Sequence, residues 1–103
     1  MNLDDTELRS FLGAYFHQDW LSEAASWSEA VDQYLSESSP QSRVRAANAI
    51  RRLLQTDIAD TDLGNVLERQ FLCFYLPPGD GLSYRRWLEE LLVALERVGG
   101  ESA

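Results

Sequence analysis

Phe71-Leu72-Cys73-Phe74-Tyr75-Leu76 is a continuous apolar run, and its isolation constrains the fold. A run of that length fits either a buried strand or the end of a buried helix, and periodicity cannot choose between them. A buried strand needs a partner, because unpaired backbone N–H and C=O groups in an apolar interior are costly. No second strand candidate exists in the sequence. The run is therefore expected to be a helix decaying into a buried extended segment, with helices making up the rest. Pro77-Pro78-Gly79-Asp80-Gly81 then breaks the chain.

Elsewhere the apolar residues recur at helical spacing. Asp4-Asp5-Thr6-Glu7 offers a capping box, with Asp4 as cap and Glu7 reaching back, ahead of the stripe Leu8, Phe11, Leu12, Tyr15 and Phe16. Gly13 sits inside this helix at a cost of ~1 kcal/mol relative to Ala, either letting another backbone approach closely or simply being tolerated. Ser26-Trp27-Ser28-Glu29 is a second capping box. It opens a short helix with Trp27, Ala30, Val31, Tyr34 and Leu35 on one face. Ser39 followed by Pro40 at the first helical position starts a third helix, predicted to run to about Gln55. Its stripe is Val44, Ala47, Ile50 and Leu54, widened by Leu53, and Ala46, Ala47 and Ala49 imply close packing. Asp60 or Thr61 is expected to cap a fourth helix that turns Leu63, Val66, Leu67 and Phe71 inward. Ser83 caps the last helix, whose stripe of Tyr84, Trp87, Leu88, Leu91, Leu92, Leu95 and Val98 is the strongest pattern in the chain. Gly99 suits a left-handed stop beyond it. The predicted architecture is all-α: a compact single-domain bundle of about five helices over residues 1–103, with a short irregular apolar segment before the last helix. That last helix is expected to be central, with Trp87 and Leu91 in the middle of the core.

The chemistry available is narrow. The 103 residues suit one core and hold one His, one Cys and no Lys. Cys73 has no partner for an internal disulfide, and a His/Cys metal cluster of the usual spacing is excluded. His17 and Asp19 would supply two ligands at most, so no metal and no cofactor is expected. His17 instead reads as a turn-orienting hydrogen-bonder, placed near a helix end where the dipole favours it. As a general base it would serve Ser22 or Cys73, but neither sits in a strand–turn–helix elbow or a glycine-rich segment. Glu89-Glu90 and the Asp60, Asp62 pair read as solvent-facing acids, and Gly79-Asp80-Gly81 is too short to cradle phosphate. No enzyme is expected. No apolar run approaches the ~20 residues of a membrane span. Met1-Asn2-Leu3-Asp4-Asp5 lacks the layout of a signal peptide, and a cytoplasmic location is expected.

Charge is more informative. The net charge is -8, from 17 acids and 9 bases, all of the bases Arg. Such a surface repels phosphates and favours a basic partner, though acidity also serves solubility. Arg43, Arg45, Arg51 and Arg52 gather on the third helix between acidic stretches. Salt bridges to neighbouring acidic helices account for them, so neither nucleic acid nor membrane is expected as a direct partner.

Leu12-Gly13-Ala14-Tyr15-Phe16-His17-Gln18-Asp19-Trp20 resembles the signature of a family of small immunity proteins from bacterial contact-dependent growth inhibition systems. Trp27-Ser28-Glu29-Ala30-Val31 and Ser83-Tyr84-Arg85-Arg86-Trp87-Leu88 are similar to later helices of that family, so the resemblance covers most of the chain. It implies a protein that binds and blocks a cognate toxin domain delivered by a neighbouring cell, with 1:1 stoichiometry expected. The toxins of such systems are often nucleases, which tend to be basic where they hold phosphate. An acidic inhibitor covering that groove then follows from the charge of this chain. The signature residues Tyr15, Phe16, His17, Asp19 and Trp20, together with Trp87, read as structural, the aromatics packing and the turn locking the first helix. Toxin contact is expected on an acidic face of Glu23, Glu29, Asp32 and Glu37, joined by Asp57, Asp60 and Asp62. Glu29 and Asp32 are three apart and present neighbouring carboxylates on one helix. Each of these acids also suits capping or simple solvent exposure. Two other functions stay open from the residues themselves: a generic helical adaptor for a basic partner, and a small hydrolase using His17 and Asp19.

Overall fold

The computed structural model describes residues 3–22 and 24–101, with the backbone alone for Leu21 and residues 97–101. Among them lie five α-helices: α1 (Leu3–Tyr15), α2 (Trp27–Glu37), α3 (Pro40–Gln55), α4 (Asp60–Phe71) and α5 (Tyr84–Glu101). Short 3₁₀ turns occupy Trp20–Ser22 and Pro77–Asp80, and no strand is present among the described residues. The all-α single domain read from the sequence is therefore the fold observed.

α3 packs most extensively, against α1 and against α5. Ala46, Ala47, Ala49 and Ile50 are buried along it, and the three small side chains let the flanking helices come close. α2 and α4 each bridge α1 and α5. Trp27 of α2 meets Trp87 of α5 edge-on, and Tyr34 stacks on Phe11 of α1 with ring centroids 3.8 Å apart. α5 meets α2, α3, α4 and the second 3₁₀ turn, so it shares its expected central place with α3. Trp87, Leu88 and Leu91 are fully buried.

Several local expectations are corrected by tertiary contacts. Val44 is 57% exposed, because the inward face of α3 is the alanine face one position round. α1 begins at Leu3, so Asp4 is not its cap. The Asp4 and Asp5 carboxylates instead accept from the Arg52 guanidinium of α3 at 3.0 and 2.9 Å, and Glu7 accepts from the Tyr34 hydroxyl at 3.1 Å. α4 begins at Asp60, with Ala59 as a cap that makes no side-chain hydrogen bond. α5 runs through Gly99 to Glu101. Of the other predicted caps, Ser26 Oγ accepts from the Glu29 N–H at 3.2 Å and Ser39 Oγ from the Ser42 N–H at 3.1 Å.

The start of α5 is closed from a distance. Helix N-termini leave four donors without intrahelical partners. Here the Tyr84 and Arg85 N–H groups donate to the Asp60 carboxylate at 3.0 and 2.9 Å. The Arg86 N–H donates to Ser83 Oγ at 3.0 Å and the Trp87 N–H to the Ser83 carbonyl at 2.9 Å. The Arg85 guanidinium reaches back to the carbonyls of Leu54, Thr56 and Ile58 at 2.9, 3.2 and 3.0 Å. Asp60 and Arg85 thus clasp the α3–α4 corner to α5 in both directions. Asp60→Ala is expected to cost ~2 kcal/mol, the loss of a carboxylate cap with two charge-assisted bonds. A urea midpoint equal to wild type would show the clasp to be dispensable.

Two glycines lie at helix crossings. A Cβ on Gly64 would stand 2.7 Å from the Tyr84 ring, so any larger residue there would have to displace that ring from the α4–α5 contact. A Cβ on Gly13 would meet the Leu72 side chain at 3.5 Å, an ordinary contact, so close approach does not explain Gly13.

The irregular segment follows α4. Leu72 is left-handed with φ 55°, and the Leu72 and Cys73 N–H groups both reach the Leu67 carbonyl, as in left-handed helix ends. The chain then extends. Cys73 and Tyr75 are buried, whereas Leu72, Phe74 and Leu76 are exposed. The passage from helix to extended chain is as expected, but its full burial is not: a period of two sends alternate side chains outward. In place of a partner strand, the Phe74 N–H donates to the Phe16 carbonyl at 2.8 Å. No helix among the described residues is long and apolar enough to cross a membrane.

Candidate functional site

After α1 the chain turns tightly. The Trp20 N–H donates to the His17 carbonyl at 3.0 Å, the Ser22 N–H to the Asp19 carbonyl at 3.0 Å, and the Ala24 N–H to the Trp20 carbonyl at 3.1 Å. His17 Nδ1 accepts from the Asp19 N–H at 3.1 Å. This turn drives two aromatics inward: Phe16 is fully buried and Trp20 is 7% exposed. Phe16 lies 5.4 Å from Trp20, 5.4 Å from Trp87 and 5.8 Å from Tyr75 between ring centroids. Tyr75 lies 5.4 Å from Trp20 and 5.0 Å from Trp87. Tilted and edge-on pairs at such spacings suit the ring quadrupoles. Tyr75 completes this cluster and was not singled out from the sequence. All six residues of the 71–76 run are apolar, so the sequence carries no signal of which alternate side chains turn inward.

Three tyrosine hydroxyls hold carboxylates. Tyr15 donates to Glu37, Tyr34 to Glu7 at 3.1 Å, and Tyr75 to Asp80 at 2.5 Å. Burial first, and then the adjacent carboxylate, raises all three hydroxyls, Tyr15 being pushed up to about 12 from 10.0. Groups raised on folding stabilise fully below their unfolded value and lose that contribution as pH climbs through the folded one. Stability from these ties is therefore expected to be complete below pH 10.0 and to fall as pH rises through about 12. Urea unfolding followed alongside tyrosinate absorbance checks this, and a flat stability over that window contradicts it.

Burial likewise pushes the Cys73 thiol up to about 12, far from the thiolate a nucleophile needs. Among the described residues no group of three or more His, Cys, Asp or Glu is placed to hold a metal ion.

The predicted acids fall in two places. Glu29 and Asp32 are exposed on α2, opposite its buried Ala30, Val31 and Tyr34, and exposed Glu37 closes that helix. Asp57 and Asp62 are exposed at the α3–α4 corner, beside the start of α5, and Asp60 is half-buried there as the cap of α5. Glu23 lies outside the described residues.

The bases are largely committed to the chain itself. Arg52 pairs with Asp4 and Asp5, Arg51 with Glu96, and Arg43 donates to the Leu35 and Ser38 carbonyls at 3.3 and 2.8 Å. The side chains of Glu29, Asp32, Asp57 and Asp62 meet no cationic partner among the described residues. Three of the four arginines of α3 are thus held within the protein, while Arg45 stays exposed.

Comparisons with known proteins agree with this architecture. One chain of the crystal structure of a CdiA-CT/CdiI complex from Y. kristensenii 33638 superposes with a TM-score of 0.81 at 23% identity, over 89% of this chain and 98% of that one. At that identity the likeness speaks for the fold. No curated protein sequence matches the chain. The family model described as CdiI immunity protein matches residues 6–95, a span holding the Tyr15–Trp20 turn, the start of α2 and the Ser83–Leu88 segment. With nearly the whole bundle inside that match, the chain belongs to the CdiI immunity protein family.

Proposed function

We propose that this protein neutralises a cognate toxin domain in the cytoplasm by forming a tight 1:1 complex with it through an acidic surface. The toxin on this reading is a nuclease, and the inhibitor covers its basic phosphate-holding groove. The carrying observation is the segregation of charge: Arg43, Arg51 and Arg52 of α3 are tied to the protein's own acids and carbonyls, and Glu29 and Asp32 stand exposed on α2 without a cationic partner among the described residues. Family membership supports toxin neutralisation, and the similar solved structure is itself a CdiA-CT/CdiI complex. Inhibition by occupation needs no turnover, so the protein acts stoichiometrically and not as an enzyme.

Carboxylates on an exposed helix face steer a basic partner during diffusion, and this raises the association rate most at low salt. Speed matters because one free toxin molecule turns over many substrates. Of the acids named from sequence, Glu29 and Asp32 are the strongest contacts on this reading, with Glu37, Asp57 and Asp62 contributing field. Asp60 is committed to α5. The charge-reversed pair Glu29→Lys, Asp32→Lys is expected to weaken binding of the toxin domain encoded beside this gene by about tenfold or more at low salt. The loss should come mainly from slower association and shrink as salt rises, with the melting temperature unchanged. A dissociation constant at low salt equal to wild type would remove the α2 face from the interface.

A further inference from the structure

We propose that the groove between the Phe74–Leu76 segment and the start of α2 is the apolar centre of the interface, taking an apolar side chain of the partner that is flanked by Lys or Arg. This rests on the toxin-binding reading above and says where its affinity resides. Trp20 and Tyr75 line the groove and are buried, at 7% and 4% exposure. Phe74 and Leu76 also line it and are open to solvent, at 39% and 65%. Ala25 and Ser26 contribute from the other side, and Ser26 is the N-cap of α2.

Alternation explains why residues 74 and 76 point outward once Cys73 and Tyr75 point in. It does not explain why they are Phe and Leu, since polar residues would satisfy the same alternation with no apolar surface left in water. Phe74 and Leu76 thus leave apolar surface open beside the buried rings of Trp20 and Tyr75 on one short segment. That surface is also preorganised. The Phe74 N–H is tied to the Phe16 carbonyl at 2.8 Å, and the Tyr75 hydroxyl to Asp80 at 2.5 Å. A partner therefore meets a surface already ordered, and little entropy is lost there on binding.

Charge selects the occupant. Asp80 is the sole charged residue lining the groove among the described residues, and Tyr75 orients its carboxylate at the rim. The adjoining first turn of α2 carries Glu29. A second copy of this chain would set one such rim against another across molecules of net charge -8, whereas a basic protein meets both the rim and the α2 face. An aromatic-floored apolar pocket ringed by polar groups is the usual form of a binding hot spot.

The test uses the intact protein and the toxin domain encoded beside its gene, with Leu76→Ser and Phe74→Ser measured by kinetics and calorimetry. Each is expected to raise the dissociation constant by about tenfold or more, chiefly through faster dissociation and by a similar factor at low and high salt. The Glu29, Asp32 pair acts instead on association and on the salt slope. Leu76→Ser should melt with wild type, since that side chain is 65% exposed, so it decides the matter alone if Phe74→Ser fails to fold. Wild-type binding with an unchanged constant for Leu76→Ser overturns the groove and leaves the proposed function standing. Absence of any complex with the wild-type protein overturns both. A self-associated wild type in sedimentation, made monomeric by Leu76→Ser, would assign the groove to a second copy and overturn the proposal.

Discussion

Replacing Trp87 with Ala is expected to remove ~3–5 kcal/mol of folding free energy, the range for emptying a large aromatic site in a packed interior. The residue is fully buried and touches three other aromatics: Phe16 at 5.4 Å, Tyr75 at 5.0 Å and Trp27 at 6.2 Å between centroids. Those rings come from the turn after α1, the irregular segment and α2, so the cavity would open where α5 meets three separate parts of the chain. Rings anchored on different elements cannot all collapse into the space, which places the cost toward the upper end. Since small domains are stable by roughly 5–15 kcal/mol, much of the population would unfold in mild urea. Trp87→Phe should cost far less. The indole N–H is buried without a hydrogen-bond acceptor among the described residues, so removing it relieves a desolvated donor as it shortens the ring. A urea midpoint for Trp87→Ala close to wild type would mean that the aromatic cluster does not organise the core.

Trp20→Ala is expected to cost ~3 kcal/mol. Its ring is 7% exposed and lies 5.4 Å from both Phe16 and Tyr75. For a domain near this size the loss corresponds to a melting temperature lower by roughly 15 °C. A melting temperature equal to wild type would show that the turn after α1 is held by its backbone hydrogen bonds alone. Trp20 differs from Trp87 in also lining the proposed groove. Its replacement should therefore weaken toxin binding as well, whereas Leu76→Ser is expected to weaken binding without touching stability. Reading the variants together separates the clasp as scaffold from the clasp as contact surface.

The resemblance carried by the Tyr15–Trp20 turn was legible because the residues that define it act on one another. Phe16 and Trp20 are brought inward by a turn whose hydrogen bonds span only a few positions, and His17 and Asp19 close it locally. Tyr75, the ring that joins them, was not picked out, since nothing within its own run says which alternate side chains face the core. The acidic face expected from sequence was assembled from residues sharing a charge. In the folded protein Asp60 turned out to be spent on capping α5, a helix that begins more than twenty residues later. A carboxylate that caps its own helix and one that caps another look the same along the chain, because capping depends on where donors arrive in space.

What the sequence by itself determined is the set of helices, their approximate limits and most of their inward positions. Ser26, Ser39 and Ser83 act on donors within three residues, and apolar spacing is a property of each segment alone, so neither needs knowledge of the rest of the molecule. The tertiary structure decided which helix touches which, and so everything that depends on approach: the alanine face of α3 turned inward in place of Val44, the glycine under Tyr84, the pairing of Arg52 with Asp4 and Asp5, and the exposure of Phe74 and Leu76. Hydrogen bonds, ion pairs and van der Waals contacts act over a few ångströms, and across elements that proximity exists only once the bundle has closed.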